Sequence, residues 1–211
     1  MKTLDWYNKL ATIYDLRGDY PYYKVRDKVV EHLKLIEGET VFDFFCGSGV
    51  NFKYIINEIG EQGSIVGVDG SAKMLGKARE LSEKLNFEKQ VKLIQADFTS
   101  DADITDLKEL IENLKPRKFL FTLGLTCIPN YSEFFCEIHT SAPVGSRFVI
   151  MDVYNDSYPL GAKFINWIGA ADCTRPVWTE LERHSKNFIK ETLLPFKILG
   201  VSVVIASGEK N

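Results

Sequence analysis

The sequence has few of the features that mark membrane or exported proteins. Its longest mostly apolar run, Ile198 to Ala206, is far shorter than the roughly 20 residues that cross a bilayer. The charged start, Met1 to Leu10, has no apolar stretch that resembles a signal peptide. We therefore expect a cytoplasmic protein with no membrane-spanning helix.

Cysteine, histidine and excess positive charge are also scarce. The four cysteines have no CxxC spacing and the three histidines form no HExxH pattern, so we expect reduced thiols and no metal site. His139 and His184 are interpreted as helix-end or surface residues. With 26 Lys and Arg against 29 Asp and Glu, the chain lacks the basic excess typical of proteins that bind nucleic acid through phosphates. A nucleic-acid substrate is not expected.

What the sequence does contain is an alternation of short β-branched or aromatic runs with longer amphipathic stretches. This alternation is typical of a parallel sheet covered by helices on both faces. The length of 211 residues and the absence of a linker-like stretch favour a single α/β domain over residues 1–211. The predicted core strands are Glu39 to Phe45, Ser64 to Asp69, Val91 to Ala96, Lys118 to Leu123 and Arg147 to Val153.

Two apolar stripes with helical spacing lie between these strands. Ser71 is placed to cap the first helix, and Pro116 closes the second. The stripes are Met74, Leu75, Ala78, Leu81 and Leu85 in the first helix, and Ile104, Leu107, Leu110, Ile111 and Leu114 in the second.

The two ends of the chain differ from this middle. Leu4 to Tyr14 and Tyr23 to Leu35 are predicted as helices. Phe188 to Leu194 and Lys197 to Ser207, separated at Pro195, are predicted as strands. Because their connection is too short for a helical crossover, the two strands should pair as an antiparallel hairpin.

A glycine turn follows the first predicted strand. Gly47 and Gly49 lie at the carboxyl end of that strand, where ligands bind in open α/β sheets. The residue three positions after Gly49 is Phe52, so the dinucleotide fingerprint is incomplete and a nicotinamide-dependent oxidoreductase is disfavoured. Asp69 and Asp97 end the next two strands. Either acid alone fits a helix cap or a loop equally well, but all three groups at one edge favour a ligand site.

With these pieces the sequence resembles the class I S-adenosylmethionine-dependent methyltransferases. The matching segments run from Val41 to Gly49, from Ile65 to Leu75 and from Gln95 to Phe98. The resemblance implies a Rossmann-like, seven-stranded, mostly parallel sheet with helices on both faces and an antiparallel last strand. It also implies a helical lid over residues 1–37, a core over residues 38–211 and a helical insertion near residues 158–184.

The same resemblance implies a set of residues that bind S-adenosylmethionine. The glycines of the turn, Gly47 and Gly49, would face the methionine moiety of the cofactor. Asp69 would bind the ribose hydroxyls, and Asp97 would bind the adenine amino group. Asp43 would support the turn or the cofactor ammonium. The full set is Asp43, Gly47, Gly49, Asp69, Gly70, Met74, Asp97, Phe98 and the carbonyl near Leu123.

One residue departs from the family pattern. Phe45 stands where the family usually has glycine. Its ring either points into the core and leaves the turn intact, which we favour because α/β ligand sites tolerate variation, or crowds the methionine end of the cofactor. The second interpretation keeps open a catalytically silent, cofactor-binding protein.

Methyl transfer from a sulfonium needs alignment and the exclusion of water more than acid–base chemistry. The absence of a catalytic triad or carboxylate pair therefore does not argue against an enzyme. Tyr14, in the predicted lid, and Asp152, at the end of the fifth strand, are the candidate catalytic residues. Ordinary helix packing for Tyr14 and capping for Asp152 are equally good interpretations.

Short segments, among them Gly49 to Phe52 and Phe121 to Asn130, are most similar to the small-molecule methyltransferases that act on lipid amines and quinones. This resemblance implies a methyltransferase that uses S-adenosylmethionine on a small-molecule or lipid-linked acceptor, with an amine favoured. A quinone or other carbon acceptor is the main alternative. Leu160, Phe164, Trp167 and Ile168 share one helical face, for which core packing is favoured over contact with a membrane surface. The oligomeric state is not assigned.

Overall fold

The computed structural model describes residues 23–155, 171–196 and 201–211. Predictions that concern residues 1–22, 156–170 and 197–200 lie outside the described residues. They include the first N-terminal helix with Tyr14 and the apolar helical face that begins at Leu160.

The described elements alternate between helices and strands along the chain. The strands are β1 (Thr40–Phe44), β2 (Ser64–Asp69), β3 (Val91–Gln95), β4 (Lys118–Thr122), β5 (Arg147–Tyr154), β6 (Ser185–Phe196) and β7 (Val201–Lys210). The helices are α1 (Tyr23–Leu33), α2 (Phe52–Ile59), α3 (Ala72–Lys84), α4 (Asp101–Leu114), α5 (Tyr131–Ser141) and α6 (Thr179–His184). Short 3-10 turns lie at Glu88–Gln90 and Leu125–Cys127.

The strands form one seven-stranded sheet in the order β3-β2-β1-β4-β5-β7-β6. Strands β1 to β5 are mutually parallel, and β7 is antiparallel to both of its neighbours, β5 and β6. The predicted Rossmann-like α/β fold and the C-terminal antiparallel hairpin are therefore confirmed.

The hairpin strands extend beyond their predicted bounds. β6 begins at Ser185 rather than at Phe188, and β7 continues to Lys210. The reason is pairing: Glu209 of β7 pairs with Arg147 of β5, and Lys210 pairs with Ser185. A register irregularity falls between Leu193 and Phe196, around Pro195, because proline cannot donate to the ladder.

Both faces of the sheet are covered, and one face is rich in aromatic rings. The rings of Phe44 and Phe121 stack at 4.8 Å and are almost fully buried. Three residues of each predicted helical stripe are buried, Leu81 and Leu110 are partly buried, and the last residues are exposed, Leu85 by 42% and Leu114 by 49%. Leu85 is the C-cap of α3 and Leu114 is the last residue of α4.

One residue predicted at a helix end or at the surface lies at a helix end but is buried. His139 lies in the last turn of α5, as predicted for a helix end, but its side chain is buried against the ring of Phe148 at a centroid distance of 4.8 Å. The face of α5 that carries His139 packs on β5. An isolated histidine in the sequence does not predict which face of its helix is buried.

Within the described ranges, no helix combines the length and apolar character needed to cross a lipid bilayer.

Candidate functional site

The strand order reverses between β1 and β4. The chain runs from β1 outward through β2 to β3 and then returns to β4 on the other side of β1. The carboxyl ends of β1 and β4 therefore lie side by side at a switch point, where open α/β sheets bind ligands. The predicted glycine turn begins at this point.

The turn after β1 depends on backbone conformations that few residues adopt. Phe45, Gly47 and Gly49 have φ angles of 59°, 55° and 77°, in the left-handed region that favours glycine. At Gly49 a Cβ would lie 2.7 Å from the ring of Phe52, so glycine is also required for packing. At Gly47 a Cβ would meet nothing within 4 Å, so that side of the turn is open.

The turn is tied to the sheet by the buried carboxylate of Asp43. Asn51, at the start of α2, donates from Nδ2 to both carboxylate oxygens at 3.1 and 3.2 Å. Thr122, at the end of β4, donates from Oγ1 at 3.2 Å. Arg26 of α1 donates to Oδ1 of Asn51. Asp43 therefore joins the start of α2 to the end of β4, and its role at the cofactor site stays a prediction.

Burial raises the pKa of Asp43 to about 7, although the hydrogen bonds from Asn51 and Thr122 and the charge of Arg26 oppose the shift. Loss of hydration on burial disfavours the charged form of a carboxyl group and so raises its pKa. The ionised form of Asp43 therefore lowers the free energy of unfolding.

Asp69 joins the end of β2 to the same turn. Its Oδ2 accepts the amide hydrogen of Gly47 at 2.9 Å, and its Oδ1 accepts that of Ser71 at 2.8 Å. Burial raises its pKa and these two amides lower it. Each carboxylate oxygen has a further lone pair, and the residue is only partly buried. It can therefore still accept hydrogen bonds from a ligand's hydroxyl groups.

Asp97 lies one strand further along the same edge. The amide of Ala96 donates to the carbonyl of Asp69 at 3.2 Å, so Asp97 follows directly on a residue joined to Asp69. Its Oδ1 accepts from the hydroxyl and the amide of Thr99, which lowers its pKa. Gly70 is held nearby because Nε2 of Gln95 donates to its carbonyl at 3.3 Å. The exposed carboxylate of Asp97 is ionised at neutral pH.

The Phe45 ring lies across the switch point. A Cβ built on Gly124, just after β4, would lie 2.0 Å from Cγ of Phe45. The ring also packs against Phe98 at a centroid distance of 4.2 Å and against Phe134 at 6.0 Å. Phe45 thus joins the aromatic core on the β4 side and leaves the open side of Gly47 clear.

The other predicted site residues lie at or near this edge. Met74 is buried in the first turns of α3. Leu123 follows β4 with a φ of 54°, and its amide donates to Met151 of β5. Asp152, at the end of β5, is buried; it accepts from the amide and hydroxyl of Thr126 and from the amide of Val153. Its catalytic role stays a prediction, because these contacts position the turn after β4.

Residues 35–178 match the family described as "Methyltransferase domain". The chain belongs to this family. The prediction of an S-adenosylmethionine-dependent class I methyltransferase is confirmed, and with it the predicted enzyme class and methyl donor.

Two curated relatives are similar to this methyltransferase over much of its length. One is carboxy-S-adenosyl-L-methionine synthase of Methylococcus capsulatus, which is 24% identical over 197 residues, or 90% of this chain and 78% of the relative. The other is 2-phytyl-1,4-naphtoquinone methyltransferase of Nostoc punctiforme, which is 23% identical over 157 residues, or 72% of this chain and 65% of the relative.

A solved structure with the same fold is geranyl diphosphate C-methyltransferase of Streptomyces coelicolor A3(2). Its TM-score with this chain is 0.69 at 13% sequence identity, and the match covers 89% of this chain and 77% of the solved chain. That structure is a complex with Mg²⁺, geranyl diphosphate and S-adenosyl-L-homocysteine. At this identity the likeness shows the fold alone.

Sequence reasoning missed the polar residues that support the turn. Arg26, Asn51 and Thr122 lie in three separate elements, and each residue type is common in helices, caps or strand ends. The only signal was Asp43 itself, an acid inside a predicted buried strand, which needs partners. The partners become visible only when β1, β4 and α2 are brought together.

A substitution of Asp43 tests its electrostatic cost. The pKa of Asp43 is about 7 in the folded protein, against an ordinary value of 3.8. At a pH between these two values the folded protein keeps the proton on Asp43, whereas the unfolded chain has lost it. Stability from this group therefore falls as pH rises from about 4 to 7. Asp43→Asn should remove this fall, so that between pH 4 and 8 the difference in free energy of unfolding shifts in favour of the variant by about 4 kcal/mol, as measured by urea unfolding.

Asp106→Asn is the matched control, since Asp106 is exposed on α4; its unfolding curve should stay parallel to that of the wild type. Parallel pH dependences for Asp43→Asn and wild type would contradict the raised pKa.

A second prediction concerns the ring of Phe45. Gly124→Ala should lower the free energy of unfolding by about 1–3 kcal/mol, because the new methyl group overlaps the ring. In a Phe45→Gly background the same change should cost less than about 0.5 kcal/mol. Urea unfolding of the wild type, both single variants and the double variant measures this coupling.

Gly76→Ala is the control for this cycle, because its Cβ would meet nothing within 4 Å inside α3. It should stabilise the protein by about 0.5–1 kcal/mol. Equal costs of Gly124→Ala in the two backgrounds would show that the ring lies elsewhere.

Proposed function

We propose that this methyltransferase binds S-adenosylmethionine across the carboxyl ends of β1, β2 and β3 and methylates an amine nitrogen of a small or lipid-linked acceptor. The observation that carries the cofactor's placement is the Asp69 carboxylate. It is held by the amides of Gly47 and Ser71 and is still partly exposed beside the glycine turn.

The residues present fit this cofactor. The open side of Gly47 gives room for the methionine end. The partly exposed carboxylate of Asp69 would accept the two ribose hydroxyls, and the exposed carboxylate of Asp97 would accept from the adenine amino group. Met74 and Phe98 would lie against the faces of the adenine ring.

The cofactor, when bound, supplies a methyl group that is already activated by the positive sulfur. The chain has to align the acceptor and exclude water, and such positioning contributes several kcal/mol. Asp43 would act as a positioning residue, because its bonds to Asn51 and Thr122 hold the turn against the end of β4. Asp152 would do the same for the turn at Leu125–Cys127 through Thr126.

The aromatic rings at the switch point support an amine as the acceptor. Phe45 is partly exposed there, and Phe98 packs against it. An aromatic face attracts an ammonium group by about 0.5–2 kcal/mol, depending on desolvation, and so favours the methylated cation. Tyr14, which lies outside the described residues, is proposed to orient the amine.

A carbon acceptor is the second candidate. It is favoured by the similarity to a naphthoquinone methyltransferase and by the fold shared with a geranyl diphosphate C-methyltransferase. An uncharged carbon acceptor would also suit the apolar surroundings of Phe45.

A substitution of Asp69 tests the cofactor site. Asp69→Ala removes a charged acceptor, so affinity for S-adenosylhomocysteine should fall by about 1–3 kcal/mol. Calorimetric titration measures this loss. Asp106→Ala, which removes an exposed acid from α4, should bind as the wild type does.

Asp69 also holds the turn, so stability has to be measured beside affinity. Asp69→Asn keeps an oxygen that can accept from Ser71, and its urea unfolding should stay closer to the wild type than that of Asp69→Ala. Unchanged affinity in both folded variants would show that the ribose assignment is wrong.

The acceptor is tested by mass spectrometry of amines, amine lipids and quinols incubated with the enzyme and a methyl-labelled cofactor. We expect label on nitrogen, with a rate that rises with pH as the amine loses its proton. Label on carbon, with no labelled amine, would favour the second candidate and overturn the first. Binding of S-adenosylhomocysteine in the same preparation separates a wrong acceptor from a wrong cofactor site.

A further inference from the structure

Three metal-ligating side chains of different chemistry converge between α5 and α6. Donor atoms of Cys136, Glu180 and His184 all lie within 4.8 Å of one another. The Sγ of Cys136 is 3.9 Å from Oε2 of Glu180, and Nε2 of His184 is 3.6 Å from the same oxygen. One carboxylate oxygen therefore faces both a thiol and an imidazole.

This cluster lies away from the crevice at the switch point. His184 ends α6 directly before β6, whose first residue, Ser185, pairs with Lys210. The neighbouring pair on β7 and β5 is Glu209 and Arg147, the first residue of β5. The cluster is thus near the amino end of β5, whereas the proposed cofactor lies at the carboxyl ends of the strands.

The separations are close to those around a tetrahedral zinc ion. With zinc–sulfur bonds of about 2.3 Å and zinc–nitrogen or zinc–oxygen bonds of about 2.0–2.2 Å, two ligand atoms stand roughly 3.4–3.6 Å apart. Two of the three separations, 3.9 and 3.6 Å, lie close to this range, and the third pair, the sulfur and the imidazole, lies within 4.8 Å. A thiolate, an imidazole and a carboxylate suit zinc better than magnesium or calcium, which prefer oxygen ligands.

Glu180 is oriented for this role by its other oxygen. Its Oε1 accepts from Oγ of Ser132 at 3.1 Å and from Nη1 of Arg183 at 2.8 Å. These contacts leave Oε2 directed at Cys136 and His184. Outer contacts that orient a ligating carboxylate are a regular part of metal sites.

A buried, unpartnered nitrogen adjoins the cluster. His139 lies one turn after Cys136 on α5, is 8% exposed, and its ring centroid is 6.0 Å from that of His184. Its Nε2 has no hydrogen-bond partner within the described part of the chain. A neutral imidazole nitrogen can bind a metal ion or hold its water.

We propose that Cys136, Glu180 and His184 bind one zinc ion that fastens α6 to α5, with the ring of His139 next to that of His184. α6 has only six residues, and a helix this short is not stable by itself. A metal ion would add a link between Cys136 and Glu180, which are 44 positions apart in the sequence. Because the thiol must lose its proton on binding, zinc affinity should rise with pH.

The test is metal binding by the full chain after treatment with a chelator. Zinc should bind with one ion per chain in a competition titration and should raise the thermal unfolding temperature. Cobalt(II) should give a thiolate-to-cobalt absorption band that is abolished in Cys136→Ser. Glu180→Gln and His184→Gln should weaken zinc binding by at least about tenfold.

Cys127→Ser is the matched control, since Cys127 is another partly buried cysteine outside the cluster, and it should keep both the band and the zinc affinity. Circular dichroism shows that each variant is folded. Absence of zinc binding in the wild type, or a cobalt band that survives in Cys136→Ser, would overturn the proposal. None of these measurements depends on methyl transfer, so the proposed function can fail without affecting this test.

Discussion

The buried carboxylate of Asp43 is the group on which the arrangement at the switch point depends. It lies inside β1, out of contact with water, where an unpaired charge is costly. Asn51 and Thr122 reach it from α2 and β4. Since these partners come from both sides of the switch point, satisfying one carboxylate also fixes how the glycine turn meets the neighbouring strand.

The chain leaves β1 and β4 in the same unusual way. Phe45 and Leu123, the residues that follow these strands, both have left-handed backbone conformations, which cost a non-glycine residue roughly 1–2 kcal/mol. The cost at Phe45 is offset by ring contacts with Phe98 and Phe134, and a glycine at 124 makes room for the ring. A large side chain can thus stand where the family usually has glycine while the path of the turn is kept.

The sequence was most informative where buried strands meet helix caps. Runs of apolar residues predicted β2 at its observed bounds, and Ser71 does cap α3, since its Oγ accepts from the amide of Met74. Contacts between distant elements could not be predicted. The longer hairpin depends on the register with β5, and the burial of His139 depends on which face α5 turns to the sheet. The proposed ligands Cys136 and His184 lie far apart in the sequence and form no metal-binding motif. For this reason no metal site was expected from the sequence.

Residues 171–184, the described part of the segment between β5 and β6, lead to the start of β6. The amide of Asp172 donates to the carbonyl of Thr126 at 2.9 Å, and Nη1 of Arg175 donates to the carbonyl of Ile128 at 2.7 Å. The segment is therefore bonded to the turn after β4, which Asp152 also holds. Its other end is α6, which packs on α5 and carries two of the proposed zinc ligands. A zinc ion there would therefore fix α6, which belongs to the same segment as the residues that bond to the turn after β4.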